Sequence, residues 1–165
     1  MNEAQRASSG GARRLALPGF VALCLGVAAT GGYATSTSVG GWYQTLAKPA
    51  LTPPDGVFAP VWTVLYLMMA VAGWRVWRAE GFAGRETALA LFGAQLALNL
   101  LWSMLFFAAR RIDLALLDIV LLWVAIAATA AAFWRIDRLA GALFLPYLAW
   151  VTYAALLNAT IWQMN

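Results

Sequence analysis

Five long apolar runs dominate this chain, and each is long enough to cross a bilayer, which takes about 20 residues at about 1.5 Å of rise per residue. They read as Leu15–Tyr33, Pro60–Trp77, Thr87–Ala109, Leu114–Trp134 and Leu139–Trp162. Strands of a transmembrane barrel would alternate in polarity, and none of these runs does. The predicted fold class is an all-α membrane protein, a five-helix transmembrane bundle with a long lid loop, residues 34–59, between the first two spans. Composition agrees: 63% of the residues are apolar and 11% charged, against about half and about a quarter in soluble domains. A cytosolic enzyme and a disordered tail are both excluded.

The later spans are separated by short charged breaks, Arg78 to Glu86, Arg110 to Asp113 and Arg135 to Arg138. Such turns make consecutive helices antiparallel neighbours. Eight cations (Arg6, Arg13, Arg14, Arg75, Arg78, Arg85, Arg135, Arg138) then share one side and three (Lys48, Arg110, Arg111) the other. The bias predicts a cytoplasmic N-terminus and a multi-pass inner-membrane protein, with an outer membrane as the open alternative. Residues 1–14 read as a polar, disordered extension ahead of one domain over 15–165. Arg13-Arg14 could also precede a cleaved signal, but the run is long for one and lacks a small-x-small cleavage site, so the first span reads as retained. The cations sit at span ends, which suits orientation in a membrane rather than a nucleic-acid face.

Histidine is absent and Cys24 is the sole cysteine. That excludes an internal disulfide, His-ligated zinc or haem, and a Ser-His-Asp triad. No metal site and no cofactor are expected.

Helical spacing nonetheless assembles a polar and aromatic constellation. Gln95, Asn99 and Trp102 share one face of the third span, continued by Phe106. Tyr147, Trp150, Ala154 and Asn158 form a stripe on the fifth; Trp62, Tyr66, Met69 and Gly73 form one on the second. Asp118 leads a fourth stripe with Leu122, Ala125 and Thr129. Amides within a membrane face a cavity or bond between helices, and both readings stand for Gln95 and Asn99. Asp118 follows Arg111 by two turns, and the favoured reading is an ion pair between them. Trp74, Trp77, Trp134 and Trp162 sit at span ends, where indoles belong to the interfacial belt, and Trp123 faces lipid. Trp42, Trp62, Trp102 and Trp150 remain for a pocket beneath the lid. Pro146 deprives the Ala142 carbonyl of its helical partner and predicts a kink. Ala90, Gly93 and Ala97 make a small-residue face on the side away from Gln95, which predicts a homodimer seam on the third span.

Several motifs run in order along nearly the whole chain. They are W-Y-x-x-L-x-K-P-x-x-x-P-P at Trp42–Pro54, P-x-W-x-x-L-Y at Pro60–Tyr66, Gln95-x-x-x-Asn99-x-x-Trp102, Leu117-Asp118, and Pro146-Tyr147-x-x-Trp150 with Leu157-Asn158. In these the chain resembles bacterial members of the translocator protein / tryptophan-rich sensory protein (TspO/MBR) family. The resemblance implies a cavity that binds porphyrins such as protoporphyrin IX, lined by Trp42, Tyr43, Trp62, Gln95, Asn99, Trp102, Tyr147, Trp150 and Ala154. Without histidine a free-base tetrapyrrole is expected rather than haem. Animal members bind cholesterol through a C-terminal motif ending in a basic residue; here no Lys or Arg follows Tyr153, so sterol binding by that route is not expected.

Three functions are then open. The favoured one is a tetrapyrrole receptor or sensor, with porphyrin, the bilayer and a second copy as partners and no nucleic acid. A tetrapyrrole transporter is the second, though no internal repeat or coupling-ion path supports it. The third is light-dependent porphyrin degradation, in which the excited porphyrin and oxygen would carry the chemistry and Trp150 and Trp62 would be the redox participants. No conventional catalytic residue is identified.

Overall fold

The computed structural model of the chain describes residues 3–165, with side chains from residue 16 onward. The extension expected over residues 1–14 falls outside the fully described part. Seven α-helices follow in order: α1 (Glu3–Val39), α2 (Trp42–Thr45), α3 (Asp55–Arg78), α4 (Arg85–Ser103), α5 (Ile112–Ile136), α6 (Arg138–Ala142) and α7 (Leu145–Met164). Five segments are long and apolar enough to span a membrane: Ala16–Val39, Asp55–Arg78, Arg85–Ala108, Ile112–Ile136 and Arg138–Met164. No strand occurs among the described residues. Hydrocarbon offers no partners for backbone amides, so runs of this kind satisfy them internally as helices. Lipid-facing side chains such as Val64, Leu67, Leu117, Leu121, Val124 and Leu156 are exposed, as a membrane protein requires.

The first connection is shorter than the expected loop over 34–59. Helix α1 continues to Val39 because its hydroxyls bond back within the helix, Thr35 to the Gly31 carbonyl (3.0 Å), Ser36 to Tyr33 (2.8 Å) and Thr37 to Ala34 (2.8 Å). Polar residues that satisfy themselves this way do not end a helix in an apolar setting. At the other side α3 starts at Asp55, five positions ahead of Pro60. What remains between them is residues 40–54, carrying the single turn α2.

The other breaks follow local chemistry. Gly81 and Gly84, at φ +81° and +83°, turn the chain between α3 and α4. Asp137 separates α5 from α6, its carboxylate accepting from the Ala140 N–H at 3.0 Å as an N-cap. The kink expected at Pro146 is a break instead. The helix stops at Ala142 and restarts at Leu145, which puts the proline in the first turn of α7, where its missing N–H leaves no helical bond unmade.

One irregularity was not foreseen. The end of the third span widens into a π-turn, Met104–Ala108, in which the Ala109 N–H reaches the Met104 carbonyl at 2.8 Å. The added residue turns both Phe106 and Phe107 inward.

In the packed bundle α1 lies against α3 and α4, and α5 lies against α4 and α7. The larger core reaches into the half away from the lid, where Phe92, Phe133 and Phe144 meet with ring centroids 5.2–6.3 Å apart. Helices touch closely there: a Cβ on Gly141 would lie 2.8 Å from the Trp134 backbone. An Arg75–Asp137 ion pair, 2.7 Å, closes that end. A second, smaller cluster of Tyr43, Phe106, Phe107, Ala115 and Ile161 sits under the lid. Between the two clusters the backbones of α3 and α7 stand apart.

Candidate functional site

That gap is a cavity of about 380 Å3, walled by α1, the lid, α3, α4 and its π-turn, and α7. Of the residues expected to line it, Tyr43, Trp62, Asn99, Trp102, Trp150 and Ala154 do so. Trp62 on α3 faces Tyr66 and Tyr147 with centroids 5.8 and 6.1 Å away. Trp102 stacks on Phe106 at 5.4 Å. Trp150 stands between Phe58 (6.0 Å) and Tyr153 (5.8 Å). The walls are therefore rings held by other rings, which fixes their faces, and Asp55 at the lid end is the charged side chain in the lining.

The other three expected residues lie outside the lining. Trp42 packs edge-on against Phe106 at 5.9 Å, with the Arg110 guanidinium over its ring. Tyr147 is fully buried behind the wall and its hydroxyl accepts from Asn99 Nδ2 at 2.7 Å. Gln95, also fully buried, has no hydrogen-bond partner on either amide atom among the described residues.

The polar handles are mostly occupied. Tyr66 donates to Asn99 Oδ1 at 2.5 Å, so Asn99 ties α3, α4 and α7 together. Both readings of this residue therefore hold at once: it bonds between helices and it borders the cavity. Trp102 Nε1 donates to Asn158 Oδ1 at 3.0 Å, and Asn158 Nδ2 donates to the Ile112 carbonyl at 3.1 Å. The Trp150 indole N–H is buried without a partner among the described residues, so turning that ring breaks no hydrogen bond there.

Asp118 overturns its favoured reading. Arg111 pairs with Asp113 at 2.6 Å, next to it at the start of α5, rather than reaching two turns down. Asp118 is buried on the α5 stripe and its Oδ2 has no partner among the described residues. A neighbour two residues away in a wet turn meets the guanidinium without drawing it into hydrocarbon.

The lid is held from several sides. Lys48 Nζ donates to the Tyr43 carbonyl at 2.7 Å and lies 4.7 Å above its ring. Gln44 Nε2 donates to Asp55 Oδ2 at 2.9 Å. Burial, and then the nearby Asp55 carboxylate, push the Tyr43 phenol above its ordinary value. Sequence spacing missed the α1 wall (Ala28, Gly31, Gly32, Thr35, Ser36) and Phe107. The density of small residues over 28–38 is the signal that could have found the former, since a wall this close to a void needs short side chains.

The TspO/MBR family model matches residues 20–163. The chain is 43% identical to the tryptophan-rich protein TspO of Chlorobaculum tepidum, covering 88% of this chain and 95% of that one. It is 42% identical to the tryptophan-rich sensory protein of Cereibacter sphaeroides, with 88% and 89% covered. Similarity extends to the translocator protein of Sus scrofa at 41%, with 84% and 86% covered.

Proposed function

Because the chain belongs to the TspO/MBR family, we propose that it is a membrane receptor or sensor for porphyrin-type tetrapyrroles, protoporphyrin IX being the type ligand. The observation that carries this reading is the aromatic cavity beneath the lid, where Tyr43, Trp62, Trp102 and Trp150 offer ring faces within about 380 Å3. Apolar pockets of this kind with few polar groups suit flat aromatic ligands. Asn99 and Asn158 supply the polar edge, while Tyr147, Gln95 and Trp42 support the wall from behind. A whole porphyrin is bulkier than the void, so part of the macrocycle projects from it.

Each stacked ring contributes about 0.5–1.5 kcal/mol. Trp62→Ala with Trp150→Ala should therefore weaken binding by about 5- to 150-fold, read as loss of the saturable shift in the porphyrin Soret band in the dark. A response that does not saturate, or one unchanged in the double variant, defeats the reading. That Trp62 and Trp150 both line the cavity favours light-dependent degradation as the second reading.

The remaining expectations belong to the same proposal. The N-terminus is cytoplasmic and the lid faces outward, a reading supported by Arg75, Arg78, Arg85, Arg135 and Arg138 sharing the end away from the lid. A homodimer forms through Ala90, Gly93 and Ala97, which are exposed on α4, with open space around Gly93. Gly93→Trp should convert the protein to monomers by light scattering in detergent; an unchanged mass removes that seam.

A further inference from the structure

Exposure is unevenly spread around the cavity wall. Gly32 and Ser36 on α1 and Asp55, Ala59 and Thr63 on α3 line it and are exposed, whereas every lining residue on α4 and α7 is buried or partly buried. The cavity therefore opens along the seam between α1 and α3. Counted from Val39 and Asp55 at about 1.5 Å per residue, Gly32 and Thr63 lie about 10–12 Å inside the loop end, which is hydrocarbon depth. Away from Asp55, which sits at its loop end, the seam is also nonpolar in effect. Ser36 Oγ donates to the Tyr33 carbonyl and Thr63 Oγ1 to that of Ala59, each at 2.8 Å, so neither hydroxyl faces lipid unbonded. A Cβ on Gly32 would meet nothing within 4 Å.

The loop end is fastened by contrast. Asn165 accepts from the Ala47 N–H and donates to its carbonyl, both at 3.0 Å. Tyr153 donates to the Leu51 carbonyl and Gln44 to Asp55. A molecule passing over the lid must break these bonds; one arriving from the acyl chains breaks none.

We propose that the cavity takes its ligand sideways from the bilayer, through a portal between α1 and α3 framed by Gly32, Ser36, Ala59 and Thr63, while the lid stays closed. The portal rests on the ligand site proposed above and gives the projecting part of a large macrocycle somewhere to lie. Its ligand class is narrowed accordingly, to flat, largely apolar molecules that partition into membranes.

The test needs no ligand. Ala154→Cys puts a thiol on the cavity wall, and the parent, whose sole cysteine is the buried Cys24, gives the background rate. In vesicles, the bilayer-partitioning N-phenylmaleimide should label Cys at 154, while a sulfonated methanethiosulfonate supplied on both sides should not. Gly32→Leu should slow the maleimide at least fivefold, and so, independently, should Ala59→Leu on the facing helix. Asn165→Ala should leave the rate within twofold. Labelling by the sulfonate, labelling by neither reagent, or acceleration in Asn165→Ala with no effect of the two leucines would each overturn the portal. Failure of porphyrin to bind would show in the Soret titration alone, so the two proposals fail separately.

Discussion

Two buried amides one turn apart on α4 behave differently. Asn99 is bonded to two tyrosine hydroxyls on two other helices, and Gln95 to nothing among the described residues. Interhelical hydrogen bonds in membranes average about 0.6 kcal/mol each, with a maximum of about 1.7. Asn99→Ala should thus cost about 1–2 kcal/mol in thermal or denaturant unfolding in detergent. Gln95→Met keeps the volume and removes an unpaired polar group, so it should be neutral or stabilising. Equal destabilisation by both would mean Gln95 is partnered after all. Period 3.6 put both residues on the inward face of the sequence, yet periodicity specifies a direction and not a partner. For the same reason the Asp118 stripe was legible while its supposed partner Arg111 was not: sequence distance does not weigh a wet neighbour against a buried one.

At the scale of elements, the turn between α5 and α6 is an electrostatic clasp. Burial pushes the Asp137 carboxyl up, but the Arg75 side-chain bond, the Ala140 N–H and the Arg75 charge outweigh it and hold the group below its ordinary range. In the unfolded chain the carboxyl titrates in that ordinary range. The clasp's contribution is therefore complete above the range and is lost as pH falls through it toward the lowered folded value. Unfolding midpoints followed downward from pH 7 should drop at the acid end, and Asp137→Asn should start lower and fall less; parallel curves would contradict this. The five spans themselves were legible because about 20 apolar residues leave a chain few options. Their ends were less so. Hydroxyls that close on their own helix carried α1 on to Val39, and the π-turn at Met104–Ala108 has no signature in apolar residues alone.

For the molecule as a whole, the two clusters divide the labour. The Phe92–Phe133–Phe144 cluster holds the half away from the lid, and the lid half keeps a void between α3 and α7. The core packing and the cavity are thus separated along the membrane normal, which leaves the cavity walled by large rings with few bonds to lose. The central claim is that this void binds a tetrapyrrole, and one sample tests it. Purified protein is titrated with protoporphyrin IX in the dark, tryptophan fluorescence is followed, and the same cuvette is then illuminated. The account predicts saturable quenching that weakens in Trp150→Phe, with the porphyrin spectrum unchanged by light. Saturable quenching followed by porphyrin loss faster than in detergent alone would make the protein a photochemical enzyme instead. Absence of saturable quenching would contradict the account outright.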